Sequence, residues 1–249
     1  MYGLIGKSLS HSFSKRYFEE KYQFNSGASS DRYENFELSS IQELSTLLNS
    51  TPELEGFNVT IPYKTEIIPF MHELSEEAMQ IGSANVVKIS RFEGAGGYRL
   101  KGYNSDYWGF IESIKPHLNP SIHKALILGT GGSCNAVSYA LEKSGISCLK
   151  VTRKEGTLGA VNYHDLNDSI LSEHLLIVNT TPSGTWPEVE NYPDIPFEYL
   201  TPSHLVFDLI YNPSETMFMK RAVERGAKVL NGYEMLCLQA DRSLMIWKS

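Results

Sequence analysis

The segment from His123 to Ala136, HKALILGTGGSCNA, restricts the possible folds more than any other stretch of the chain. A short apolar run ends in glycines. From Ser133 to Ser144 the apolar residues Ala136, Val137, Ala140 and Leu141 then recur at helical spacing, and Gly145 stops the pattern. A strand that is apolar without alternation is buried on both faces, which requires helices on either side of a parallel sheet. Further strands are predicted at 147–152, 175–179, 205–209 and 227–230, with a helix at 214–225. This alternation implies right-handed crossovers and a doubly wound α/β sheet.

The N-terminal half alternates too. Strands are predicted at 2–6, 31–38 and 54–61, helices at 12–24, 39–49 and 73–81, and a glycine-interrupted hairpin (Gly94, Gly96, Gly97) over 84–103. A helix over 105–115, ended by Pro116, places the boundary between halves near 103–120. Two α/β domains with a cleft between them are therefore expected, and a cleft is where two substrates can meet.

Composition narrows the partners. The chain has 249 residues, 41% apolar and 20% charged, with a formal charge of -7. It contains no Lys/Arg run, so a small-molecule ligand is expected and nucleic acid is not. No stretch of about 18 apolar residues occurs, so no membrane span is expected. The opening MYGLIG turns polar at once and has no secretory core. Cys134, Cys148 and Cys237 are widely spaced with no C-x-x-C pair, which argues against a disulfide framework or a zinc site and for a reducing cytoplasm.

Several segments carry candidate chemistry. Gly129, Gly131 and Gly132 lie between a predicted strand and helix, where glycines admit a pyrophosphate to free helix N–H groups. Cys134 stands where the usual G-x-G-x-x-G pattern has its third glycine, and a tight turn without ligand gives the same string. At the next strand's end, Lys150, Thr152, Arg153 and Lys154 suit a ribose 2′-phosphate that a carboxylate would repel, although Glu155 follows and a solvated basic turn is the plain alternative. Asn179 and Thr180, in NTTPSG, follow another strand and could border a bound nucleotide or form an ordinary loop. Ser8, Ser10, Ser12 and Ser14 crowd a helix start, where hydroxyls either cap the helix or bind an anion. His11 reads as a structural or rim residue. Lys64 and Asp106 each follow a strand. A lysine held by a carboxylate can protonate a ketone oxygen during hydride transfer, but their spacing does not show that they meet.

Taken in order, HSFS (11–14), NVTIPYK (58–64), GYNSD (102–106), GTGGSCNA (129–136), VTR (151–153), NTTPSG (179–184), DLIYNP (208–213) and NGYEMLCLQA (231–240) resemble the stations of the shikimate dehydrogenase family. The resemblance runs nearly end to end. It implies an NADP-dependent reduction of 3-dehydroshikimate to shikimate, in chorismate and aromatic amino acid biosynthesis. It implies a substrate domain over 1–103, rejoined by a C-terminal helix within 235–249, and a Rossmann-like NADP domain over 104–234. Lys64 and Asp106 become the catalytic pair. Ser12, Ser14, Thr60, Asn85, Tyr211 and Gln239 become substrate contacts. Gly129, Gly131, Gly132, Thr152, Arg153, Asn179, Thr180 and Gly232 become cofactor contacts, with Tyr211 and Gly232 also closing the cleft. The protein is expected to be a monomer or homodimer. Lys15 departs from the family's proline, and Asn85 sits in Ser83-Ala84-Asn85-Val86 where the family has A-V-N-T. A quinate/shikimate dehydrogenase using NAD or NADP, and a regulatory cofactor-binding domain without turnover, share most of these strings.

Overall fold

The computed structural model describes residues 1–9, 12–27, 30–92 and 97–249. Ser10, His11, Gly94 and Gly96 lie outside them. The chain forms two compact units, Met1–Ser105 with Ala240–Ser249, and Asp106–Gln239.

The first unit contains β1 (Tyr2–Gly6), α1 (Ser14–Tyr22), β2 (Tyr33–Glu37), α2 (Leu44–Ser50), β3 (Gly56–Val59), α3 (Tyr63–Glu66), β4 (Glu73–Leu74), α4 (Glu76–Ile81), β5 (Val86–Arg91) and β6 (Tyr98–Tyr103). Its sheet runs β2-β1-β3-β5-β6-β4. β1 lies parallel to β2 and β3, while β5 is antiparallel to both β3 and β6. One core gathers Ile5, Leu44, Leu48, Phe57, Val59, Tyr63 and Val87. An aromatic cluster joins Tyr2, Phe18, Tyr33 and Trp247, with Phe18 stacked on Tyr33 at 4.5 Å and Tyr2 on Trp247 at 4.7 Å.

The helix predicted over 73–81 is shorter than its periodicity suggests. Glu73 and Leu74 pair with Lys101 and Gly102 as a two-residue strand, and Arg99 binds Glu73 at 2.8 Å. The helix starts only after Ser75, whose hydroxyl accepts the Ala78 N–H at 3.2 Å. A local cap and two ladder bonds outweigh the apolar spacing here. The prediction at 39–49 likewise divides into a short 3-10 turn (Ile41–Glu43), opened by Ser40, followed by α2.

The second unit contains α5 (Asp106–Ile114), β7 (Lys124–Leu128), α6 (Gly132–Lys143), β8 (Ser147–Thr152), β9 (Ala160–Asn162), α7 (Asp168–Glu173), β10 (Leu176–Asn179), β11 (Leu205–Asp208), α8 (Met217–Val223), β12 (Lys228–Asn231) and the start of α9 (Tyr233–Lys248). Its sheet is parallel throughout, in the order β12-β11-β10-β7-β8-β9. Chain order therefore reverses direction between β7 and β10, and in such sheets ligands bind beyond the strand ends at that point. β9 and α7 have no counterpart in the sequence reading. They are three and six residues long, too short for periodicity to register, and α7 depends on an Asn167 cap accepting the Ile170 N–H at 3.1 Å. Among the described residues no helix is long and apolar enough to cross a membrane, and no group of His, Cys, Asp or Glu could hold a metal ion.

Candidate functional site

In the first unit the predicted residues cluster where β1 and β3 end. A Cβ added to Gly6 would approach both Leu9 Cδ2 (2.6 Å) and Thr60 Cγ2 (2.7 Å), and the Thr60 N–H donates to Ile5 O at 2.9 Å. The glycine thus lets the turn carrying Thr60 lie against the loop that leads into α1. In that loop the Ser12 N–H donates to Leu9 O at 3.0 Å, and Ser12 Oγ accepts the Ser14 N–H at 3.4 Å. Ser14 opens α1 without any side-chain cap at Phe13. Lys15 Nζ lies 2.7 Å from Glu34 Oε2, so the residue in the family's proline position ties α1 to β2.

Lys64 sits on the single turn α3, half-buried, and its carbonyl accepts the Ala84 N–H at 2.8 Å. Tyr63 beside it is buried in the core and donates to Leu38 O at 2.6 Å, which anchors the turn. Ala84 leads to Asn85, itself buried. The Asn85 amide donates to Ser105 Oγ at 3.0 Å and accepts the Ser105 N–H at 2.6 Å. Asn85 therefore fastens the residue just before Asp106. Asp106 is buried as the first residue of α5, where the helix N-terminus favours a carboxylate.

In the second unit the strands diverge at Gly129 (φ +115°), which L side chains avoid. A Cβ there would come within 2.8 Å of Thr180 Oγ1, while Thr180 N and Oγ1 both donate to Leu128 O, at 3.0 and 2.7 Å. Asn179 is fully buried, its amide donating to Asp208 Oδ1 (3.0 Å) and its carbonyl accepting Thr181 N–H (3.0 Å) and O–H (2.7 Å). It shapes the Thr180–Thr181 turn from below. Burial pushes the Asp208 carboxyl up to about 6, against opposing bonds from Thr216, the Ile210 N–H and Asn179.

Gly131 precedes α6, which has no side-chain cap and no acidic residue in its first turn. A Cβ on Gly131 would meet nothing within 4 Å. Gly132 begins the helix, so backbone N–H groups are left open beside a bare approach, which suits a pyrophosphate. Cys134 is fully buried among Ile127 and Val137, filling the helix–strand contact that a third glycine would otherwise make closer. At the end of β8 the buried Thr152 accepts the Lys154 N–H at 3.1 Å, and Arg153 projects exposed. This accessible cation one strand from the glycine turn fits a 2′-phosphate.

Gly232 is buried, and a Cβ on it would overlap the Leu209 carbonyl. Its N–H donates to Ile210 O at 3.1 Å, next to half-buried Tyr211. Gln239 lies on α9 against Gly109 of α5, where a Cβ would approach Gln239 Cβ to 3.0 Å. Asp106 and Gly109, three residues apart, share that face of α5. The sequence reading missed Asn58, Ser105, Ser243 and Tyr33 as individual site supports. Asn58 and Ser105 stand inside quoted motifs, but nothing in the sequence ties Tyr33 or Ser243 to them.

Comparison with known proteins accords with this layout. A family model described as the shikimate dehydrogenase substrate binding domain matches residues 4–87. Shikimate dehydrogenase (NADP(+)) of Desulforamulus reducens is 34% identical over 213 residues, covering 78% of this chain and 71% of that protein. Its namesake from Methanococcus vannielii is 34% identical over 266 residues, covering 98% and 90%. The crystal structure of the Thermus thermophilus shikimate 5-dehydrogenase with NADP(H) and shikimate matches with TM-score 0.83 at 28% identity, over 99% of this chain and 92% of that one. A 5-ketofructose reductase of Gluconobacter, at 24% identity and TM-score 0.78 over 99% and 91%, shares the fold alone. With a relative 34% identical across nearly its whole length, the chain belongs to the shikimate dehydrogenase family.

Proposed function

We propose that this protein is a cytoplasmic shikimate dehydrogenase that reduces 3-dehydroshikimate to shikimate reversibly with NADPH. The observation that carries the reading is the fastening of Asn85 to Ser105, which joins two of the family's motif segments beside the Lys64 turn. NADPH supplies the hydride when bound. Lys64 delivers the proton to the ketone oxygen as charge develops there, and Asp106 is the carboxylate assigned to the same step. Ser12 and Ser14, with the start of α1, receive the substrate carboxylate. Thr60, Asn85, Tyr211 and Gln239 serve its ring hydroxyls. Gly129, Gly131 and Gly132 take the pyrophosphate, Thr152 and Arg153 the 2′-phosphate, and Thr180 the ribose side, with Asn179 and Gly232 shaping that surface.

The deciding measurement is steady-state oxidation of shikimate and of quinate, each with NADP and with NAD, followed by nicotinamide absorbance. Turnover of shikimate with NADP is expected to exceed the other three combinations. Preference for quinate or for NAD would overturn the assignment.

A further inference from the structure

A buried polar cluster in the first unit has Asn58 at its centre. The Tyr33 phenol donates to Asn58 Oδ1 at 2.9 Å, and the Asn58 amide donates to Asn85 O at 3.2 Å and to Ser243 Oγ at 2.8 Å. The Asn85 carbonyl can only accept, which fixes the orientation of the Asn58 amide and leaves both of its N–H bonds used. Ser243 Oγ also lies 3.4 Å from Ser105 Oγ, which in turn accepts from Asn85. Ser243, on α9, and Ser105 are fully buried, and Asn58 and Asn85 are nearly so. The partners of Ser243 lie 185 and 138 residues away in sequence.

Each partner leads to a residue with assigned chemistry. Asn58 stands two residues before Thr60 and six before Lys64. Ser105 is bonded directly to Asp106. We propose that Ser243 is a positioning residue for the reaction, its hydroxyl holding the strand that leads to Lys64 and the strand that leads to Asp106 in fixed register. A simple packing residue at this place would need no hydroxyl, and an apolar side chain would be the ordinary choice on a buried helix face. Placing a hydroxyl between an amide donor and a second hydroxyl fixes both neighbours in direction as well as distance, and small misplacements of catalytic groups carry large rate costs.

The inference rests on the dehydrogenase reading above. Its test uses the full-length chain with Ser243→Ala and Ser243→Thr. For the alanine variant, kcat with shikimate is expected to fall about tenfold or more while the Michaelis constant for NADP moves by less than about twofold. The threonine variant keeps the hydroxyl and is expected to recover most of the loss. An alanine variant with a lowered melting temperature but unchanged kcat would show a packing role and overturn the proposal. Should threonine disturb the fold, Ser105→Ala and the double variant Ser105→Ala/Ser243→Ala decide the matter. Losses in kcat that fall short of additive support action through the shared contact, and additive losses refute it. A wild-type chain that fails to oxidise shikimate would instead sink the dehydrogenase reading, which that control reveals by itself.

Discussion

Lys64 is held by its main chain, through the Ala84 N–H bond and the Tyr63 anchor, and both bonds remain when its side chain is removed. Lys64→Ala is therefore expected to lower kcat by a factor of at least about 100, the scale of a positioned proton donor, with an unchanged melting temperature. Turnover within threefold of wild type would remove Lys64 from the chemistry. Arg153 differs in kind, because it is exposed and offers a guanidinium's charge and N–H donors to a phosphate. Arg153→Ala is expected to weaken NADP binding by roughly 1.5–3 kcal/mol and to leave NAD binding nearly unchanged. Isothermal titration with both cofactors separates that result from equal losses, which would point away from the 2′-phosphate. Buried Asn179 teaches the converse lesson, since its amide is spent on Asp208 and Thr181. It shapes the loop from beneath.

Among the elements, α6 and α9 are each preceded by a glycine, for opposite reasons. Gly131 has empty space where its side chain would be, whereas Gly232 has the Leu209 carbonyl there. Gly131→Ala is expected to keep its melting temperature and lose cofactor affinity. Gly232→Ala must push the backbone of residues 209–211 aside, and strain of this overpacking kind costs about 1–3 kcal/mol. Thermal melts and NADP titrations on the two variants should therefore give opposite patterns. A Gly232→Ala protein with an unchanged melting temperature would contradict the packing described. The parallel strands around this region were legible in the sequence because ALIL, LLIVN and LVFDL are apolar runs with glycine or polar ends. β4, β9 and α7 were not legible. Their identity rests on a ladder pair or a single cap, and neither leaves a period in so few residues.

For the molecule as a whole, α9 matters most. Trp247 is buried, stacks on Tyr2, donates from Nε1 to Val87 O at 3.1 Å and occupies the space left by Gly56. Trp247→Ala is expected to destabilise the protein by roughly 3–5 kcal/mol. Met245→Ala, exposed on the same helix, should stay within about 0.5 kcal/mol in the same denaturant titration. Similar small effects for both would mean that Trp247 is not part of the core. The sequence placed this helix near the first unit only through family resemblance, because contacts across more than a hundred residues leave no local trace.

One consequence concerns the growing chain on the ribosome. Nascent domains ordinarily fold as units, N-terminal first. Here Met1–Ser105 leaves the exit tunnel with one hydrogen-bond partner of Asn58 and the lid over Tyr2 and Gly56 still unsynthesised, because Ser243 and Trp247 belong to Ala240–Ser249. The unit translated before Asp106–Gln239 is thus completed only after it, and the order of synthesis is not the order of completion.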